Sequence, residues 1–354
     1  MALGEQIEID ARTRMIVGQA LDMAAHQPDV GNVIVHRAGD LLVLVDSGVT
    51  TAFRDAIRSA ADDLAPWSKI LLLTTHGHPD HVGNNDLVND LGDGLDRSNV
   101  QHFVSAHDAS QYRDDGLPYW ITSLERVSGL VPGFEDPADA ARRLLAMYRP
   151  YVPVTDVTRT YEELPLEHLV IGSQHVSGWS FGDGAVQVVR THGHCAGQVV
   201  VHLPGARLLH LSDEPNGPCG AMHDANQMNI FAAAALALTL VETGAVDVVT
   251  EGHAFEVFDR PAAAERLASL LDQASALDGA AQALLTDRID DLPAFVHAFI
   301  ARSQELGVSG ANPNPMFNTM MTIAKLRELG LVAKGAGSQQ TWTRPALDDS
   351  TRAP

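Results

Sequence analysis

The hydrophobic pattern changes period several times along the chain, and each change marks an element. From Asn32 to Ser47, two β-rich runs, VIVHR and LLVLV, flank Ala38-Gly39-Asp40, which reads as a hairpin. After Thr50 or Thr51, either of which can cap a helix, Phe53, Ile57, Ala60, Ala61 and Leu64 recur at helical spacing. Lys69 to Thr74 (KILLLT) is a short unbroken apolar run, the pattern of a strand covered on both faces. A second half repeats this grammar with strands over His175 to Ser180, Ala185 to Thr191, Gln198 to Leu203 and Arg207 to Ser212. A helix of roughly Ala225 to Glu242 follows, and then a strand over Val246 to Thr250. Two sets of strands predict a sheet sandwich with helices outside, an α/β architecture.

Between the halves, residues 109 to about 170 carry few convincing strands but many aromatics: Tyr112, Tyr119, Trp120, Phe134, Tyr148, Tyr151 and Tyr161. Asp136-Pro137 is a cap and first-turn pair for a helix running to Tyr148, where Pro150 stops it. This stretch reads as an inserted cap. Beyond Arg260 the pattern is helical over Pro261 to Leu277, Leu292 to Leu306 and Pro315 to Leu329. Met316, Phe317, Met320 and Met321 form the apolar face of a core or oligomer helix, so a homo-oligomer is an open expectation. The tail from Lys334 is rich in Gly, Ser, Gln and Pro and is expected to be mobile. The division is therefore a main domain over 1–265 with an insertion over 109–170, a helical extension over 266–333 and a tail over 334–354.

Composition narrows the function. The 354 residues hold 24 Lys and Arg against 45 Asp and Glu, a formal charge of -21. Such a surface repels polyanions, which excludes nucleic acid as a partner. Cys195 and Cys219 are too few for a disulfide framework. The first ten residues, MALGEQIEID, lack the basic and apolar regions of a secretory signal. The longest apolar run, Ile230 to Val241, is about half the ~20 residues needed to span a bilayer. A cytoplasmic protein with no membrane partner is the expectation.

The chemistry is concentrated in His76-Gly77-His78-Pro79-Asp80-His81, directly after the buried KILLLT run. A tight loop splays alternate side chains, so His76 and His78 can face one point and Asp80 and His81 another. Imidazole and carboxylate without thiolate suit zinc, and also Mn or Fe. Four residues do not complete two coordination spheres. His194, Asp213 and His253, each near a predicted strand end, are the residues placed to complete them.

These residues resemble the metallo-β-lactamase superfamily. HGHPDH is similar to its H-x-H-x-D-H signature, Thr191-His192-Gly193-His194 to its T-P-G-H segment, Leu211-Ser212-Asp213 to its G-D turn, and Gly252-His253 to its terminal G-H. The resemblance spans roughly residues 30 to 260 and implies an αββα sandwich. It implies that His76, His78 and His194 bind one metal, that Asp80, His81 and His253 bind a second, and that Asp213 bridges them. Asp46, in Val45-Asp46-Ser47-Gly48, resembles the V-D-T-G element whose Asp supports the metal loop. The chain departs from the family at His192, where Pro is common, at Gln198, where a second His often follows, and at Ser212 in place of Gly.

The remaining histidines have plainer readings. His26, His36, His102, His107, His168, His175, His202, His210 and His297 are expected to be structural or solvated, and His192 is left out of the metal set. Cys195 reads as a small buried residue rather than a nucleophile. Cys219, after Asp213, is a residue that can line the site. His223 in the same loop, with Tyr119 and Trp120 of the insertion, is a candidate substrate contact, although packing explains each of the three as well.

Water bridging two dications loses its proton near neutral pH, and a metal neutralises the charge developing on an attacked carbonyl or phosphoryl oxygen. Asp80 is then the catalytic residue that orients the hydroxide or takes its proton. The expected function is hydrolysis of a small-molecule ester, lactone, thioester or amide with two divalent metal ions, zinc first. The alternative on the same scaffold is an iron-dependent oxidoreductase of the persulfide dioxygenase kind, and a third reading is a non-catalytic binding protein. The flavodiiron variant is disfavoured, since its pattern has Glu where His78 stands.

Overall fold

A computed structural model describes residues 1–22, 24–217, 220–308, 315–335 and 340–344. Seven strands form the first sheet in sequence order: β1 (Gln6–Asp10), β2 (Thr13–Ile16), β3 (Val33–Ala38), β4 (Leu41–Val45), β5 (Lys69–Leu73), β6 (Val100–Val104) and β7 (Thr158–Thr160). The strands from β1 to β4 are antiparallel, and those from β4 to β7 are parallel. The second sheet has β8 (Glu167–Ile171), β9 (Gln174–Phe181), β10 (Val186–Arg190), β11 (Val199–Leu203), β12 (Leu208–His210), β13 (Val248–Thr250) and β14 (Phe258–Asp259), with β12 and β13 parallel.

Helices lie on both outer faces. They are α1 (Thr51–Asp63), α2 (Pro79–Val82), α3 (Leu87–Leu91), α4 (Leu117–Glu125), α5 (Pro137–Ala146), α6 (Gln227–Glu242), α7 (Arg260–Leu284), α8 (Leu292–Glu305) and α9 (Pro315–Glu328). The architecture is the αββα sandwich, with a helical extension behind it. Among the described residues no helix is long and apolar enough to cross a membrane.

The apolar strands are continuous because each serves two cores. On β5, Leu71 and Leu73 point between the sheets with Val43, Val45, Trp179, Val188 and Val201, while Ile70 and Leu72 pack outward against Phe53 and Ile57 of α1. Thr50 caps α1 by accepting from the Phe53 amide at 3.3 Å, and Asp136 caps α5 by accepting from the amides of Ala138 and Asp139, each at 3.0 Å. On the far side, α6 and α7 cover Val189, Val200 and Val249 of the second sheet.

The structure departs from the periodicity reading in four places. The β1–β2 hairpin lies before the first strand expected, and its alternation is weak because β1 is only half-buried. Tyr161, counted with the aromatics of the insertion, belongs to the core between the sheets, where it stacks on Trp179 at 5.1 Å and donates to the Thr74 carbonyl at 3.0 Å. Helix α7 runs past Leu277 to Leu284; a lone glycine costs a helix only about 1 kcal/mol relative to alanine, and Ala280 and Ala281 are buried beside it. Of the tail from Lys334, expected to be mobile, residues 336–339 and 345–354 lie outside the described residues, and the described part includes a strand: β17 (Thr341–Thr343) pairs with β15 (Arg288–Ile289) and β16 (Val332–Lys334) and buries Trp342 against α8 and α9. One large indole outweighs the polar composition around it. Met316 and Met320 are likewise buried in the core.

Several buried histidines fasten the sheets. His102 on β6 meets the Thr74 hydroxyl at 3.1 Å through Nε2 and that of Thr158 at 2.7 Å through Nδ1, and burial pushes its imidazole down to about 3. Unfolded chains take up this proton near the ordinary histidine value while the folded protein refuses it, so its contribution is whole above that value and is lost as pH falls towards 3. At pH 4.5 the loss is on the order of 2–3 kcal/mol. We expect the melting temperature of His102→Gln to fall less steeply than that of wild type between pH 7 and pH 4.5. Parallel slopes would show that His102 takes no part in acid sensitivity.

Candidate metal centre

The carboxyl ends of β4, β5, β10, β12 and β13 open on one edge of the sandwich, and every nominated ligand follows one of them. After β5 the chain runs through Thr74 and Thr75 to His76, turns at Gly77, and enters the single helical turn α2 with Pro79 at its first position. That turn carries Asp80 and His81 away from His76 and His78. Gly77 permits the bend at close quarters: a Cβ there would lie 2.9 Å from Gln111 and 3.0 Å from Asp108, and its amide donates to Asp108 Oδ2 at 2.8 Å.

Two sets of donors converge. His76 Nε2 lies 3.0 Å from His78 Nδ1, which lies 3.1 Å from His194 Nε2, and Asp213 Oδ2 is 4.0 Å and 3.7 Å from the His76 and His194 nitrogens. In the second set, Asp80 Oδ2 is 3.2 Å from His81 Nε2 and 3.0 Å from His253 Nε2, while Asp213 reaches the same two nitrogens at 3.2 Å and 3.3 Å. Asp213 belongs to both sets, and within each the donor atoms lie within 4.8 Å of one another.

The donors fit metal ions better than they fit each other. Tetrahedral zinc with its usual bond lengths sets ligand nitrogens about 3.3 Å apart. His81 Nε2 and Asp213 Oδ1 are buried and have no hydrogen-bond partner among the described residues, although they face one another. Unpaired polar atoms of this kind cost about 1–3 kcal/mol each, a cost that a shared cation removes.

Backbone and outer side chains hold this arrangement. Asp46, at φ 65° after β4, accepts from the Thr75 amide and hydroxyl, each at 2.7 Å, and from His81 Nδ1 at 2.8 Å. The Thr75 hydroxyl in turn accepts from His76 Nδ1 at 3.1 Å, which leaves Nε2 of both histidines facing inward. Ser212 has a φ of 51°, meets the Thr75 hydroxyl at 2.7 Å, and receives the Gly252 amide at 2.7 Å. Glu214 accepts from the amides of Gly193 and His194 at 3.0 Å and 2.8 Å, setting the approach of the third imidazole. Arg266 of α7 grips Glu251 through two bonds of 3.0 Å and 2.9 Å just before His253.

Burial holds His76, His78 and His194 below the ordinary histidine range, His78 at about 3, so they present lone pairs rather than protons. At His81 and His253 the lowering effect of burial is outweighed by the carboxylates of Asp213 and Asp80, which pull both upward. Neutral imidazoles beside paired carboxylates are ligands for a divalent metal.

Around the ligands the structure separates the other candidates. The ring of Tyr119 on α4 is buried, and its hydroxyl is held between His78 Nε2 at 3.1 Å and Asp224 Oδ1 at 2.9 Å, so it is not free for a substrate. Trp120 packs 5.6 Å from the His78 ring. His223 is half-buried, bonded to the Ser123 hydroxyl at 2.8 Å and set 4.6 Å from the Tyr119 ring. His192, at φ 56°, turns its ring to the Ala196 carbonyl and to His107, away from both donor sets. Cys195 is buried beside Asp108 with its thiol pushed up by burial, which does not suit a nucleophile. Cys219 lies outside the described residues.

Sequence reasoning missed four acids: Asp29, Asp108, Glu214 and Asp224. Asp108 is raised to about 7 by burial and then by Asp224, and it braces Gly77. Asp29 receives the Tyr148 hydroxyl and is raised to about 6 by burial and then by the charge of Asp80. Only Glu214 had a signal, its adjacency to Asp213.

The family description that matches residues 26–275 is that of the metallo-beta-lactamase superfamily. No curated protein matches the chain. Among solved structures, a beta-lactamase domain protein from Burkholderia ambifaria superposes with a TM-score of 0.59 at 18% identity, over 97% of this chain and 94% of that one. A metallo-beta-lactamase family protein from Thermus thermophilus gives 0.55 at 16%, over 94% and 98%. A stereoselective inverting sec-alkylsulfatase from a Pseudomonas species gives 0.53 at 17%, over 92% of this chain and 50% of that one.

Gly252 supplies a check on the packing. A Cβ at this position would come within 2.0 Å of Asp213 Oδ1 and 3.1 Å of His81. We expect Gly252→Ala to displace the shared carboxylate and to destabilise the protein by about 1–3 kcal/mol in denaturant unfolding. Gly205→Ala, whose nearest neighbour is 3.8 Å away, serves as the control and is expected to be near neutral. Equal stability of the two variants would contradict this packing.

Proposed function

The chain belongs to the metallo-β-lactamase superfamily, whose members are mostly metal-dependent hydrolases, and from that premise we propose that it hydrolyses a small-molecule ester, lactone, thioester or amide with two divalent metal ions. The observation that carries this reading is Asp213, whose carboxylate faces both donor sets. His76, His78 and His194 would hold one ion, Asp80, His81 and His253 the other, and Asp213 both. Zinc suits the nitrogen and oxygen donors, and manganese or iron would be accommodated by the same atoms.

Bound divalent metal supplies a water made acidic enough to attack at neutral pH and a positive charge for the developing oxyanion. The chain supplies the rest. Asp80 lies among His81, His253 and Asp213, where its carboxylate can orient the attacking water and take its proton. Trp120 and the Tyr119 ring exclude bulk solvent from the His78 side. The His253 side chain is 18% exposed against 3% for Asp213, so substrate approaches from the His253 side. A net charge of -21 favours a small substrate over a polyanion.

Metal analysis and turnover test this together. The protein is expected to hold two zinc ions per chain and to turn over members of an ester, lactone, thioester and amide panel, to which a secondary alkyl sulfate is added. Asp213→Asn should lower turnover on the order of a hundredfold or more, the scale of losing one group that supports the reacting charge. Equal turnover by wild type and Asp213→Asn would sink the proposal. A single iron per chain with dioxygen consumption would transfer the assignment to the oxidoreductase alternative.

A further inference from the structure

We propose that Tyr119 is a positioning residue for the three-imidazole set, and that through its hydroxyl the docking of helix α4 is coupled to metal loading; this rests on the two-metal reading above. His78 turns Nδ1 towards His76 and His194, at 3.0 Å and 3.1 Å. A neutral imidazole with its lone pair on Nδ1 carries its hydrogen on Nε2. That N–H meets the Tyr119 hydroxyl oxygen at 3.1 Å, and the hydroxyl donates onward to Asp224 Oδ1 at 2.9 Å. The second oxygen of Asp224 accepts from the Ala196 amide at 3.0 Å, two residues beyond His194. Each donor in this chain has one acceptor, and the line ends on a carboxylate. Such a relay fixes the tautomer of the ligand and raises its basicity towards a cation.

The source of the partner distinguishes His78. His76 and His81 are oriented by Thr75 and Asp46, at the ends of strands in the sandwich. His78 is oriented by a helix of the insertion. Helix α4 is pinned to the loop that carries Asp224 by three further contacts: Ser123 with His223 Nδ1 at 2.8 Å, Arg126 with the carbonyls of Met222 and His223, and the Tyr119 ring against His223. A docked α4 therefore improves one metal ligand, and thermodynamic reciprocity requires that a metal on that ligand favour the docked α4.

The test uses the full chain loaded with zinc. Stepwise removal with a chelator gives the affinity of each ion, and amide hydrogen exchange over residues 117–126, with and without zinc, reads the helix. Tyr119→Phe is expected to bind one of its two ions about 10- to 100-fold more weakly while retaining the other, and to lose the zinc-induced protection of 117–126. Asp224→Asn should weaken the same ion and serves if Tyr119→Phe does not fold. Thr122→Ala, at an exposed position of the same helix whose hydroxyl bonds only to the Pro118 carbonyl, should keep both ions at wild-type affinity. A wild type that binds no zinc overturns the two-metal reading and the coupling with it. A wild type with two ions, matched in affinity and exchange by Tyr119→Phe, overturns the coupling alone, as does parallel loss of both ions in that variant.

Discussion

Taking the carboxylates of Asp80 and Asp213 out of water costs several kcal/mol each unless a countercharge compensates them. They are 6% and 3% exposed, and five imidazoles crowd them at distances too uniform for a network of donors and acceptors. Protons alone settle this badly, because His81 Nε2 and Asp213 Oδ1 remain unpaired. Much of the surrounding fold serves to keep these groups pressed together. The parallel and antiparallel strands deliver their ends to one edge, Asp46 and Ser212 hold left-handed backbone, and glycines stand where a Cβ would strike a ligand: Gly31 against His81 at 2.5 Å and Gly252 against Asp213. Strain of this kind persists only where the neighbouring structure over-determines it.

The parts of this arrangement that were legible in the sequence are those with local spacing. Three histidines and an aspartate in six positions after a buried run announce a loop at a strand end, and His194, Asp213 and His253 follow strands whose apolar pattern is equally plain. The alternation that placed Leu71 and Leu73 on one face and Ile70 and Leu72 on the other is a property of five consecutive residues. Asp224, Asp108 and Asp29 are different. Each is a single acid in a loop, and its role depends on which distant group the fold brings beside it: Tyr119 and Ala196 for the first, Gly77 and Cys195 for the second, Tyr148 for the third. No short window contains both partners. Trp342 was hidden for a related reason, since composition averages a long stretch and one indole decides whether the few residues around it are buried.

Tyr119 shows how a residue can be singled out in the sequence while its partners stay hidden there. An aromatic segment beside a histidine-rich loop invites the reading of a substrate clamp, and α4 does reach the candidate site. Its nearest hydroxyl is engaged within the protein itself, between an imidazole and a carboxylate. The Trp120 ring beside it is buried too, packed 5.6 Å from the His78 ring, and its indole nitrogen has no hydrogen-bond partner among the described residues.

The charge of the candidate centre bears on which substrates the proposed hydrolysis would favour. Two divalent ions, held as proposed, would outweigh the charge of Asp80 and Asp213 between them, within a chain whose overall charge is strongly negative. Field lines would concentrate at such a spot, and a carbonyl or other polar centre on a small molecule would gain there without the repulsion that a long anion meets over the rest of the surface. On that proposal the charge of the centre would act on the oxygen that becomes negative as the bond breaks. Interactions that strengthen only at that stage accelerate the chemistry rather than hold the substrate.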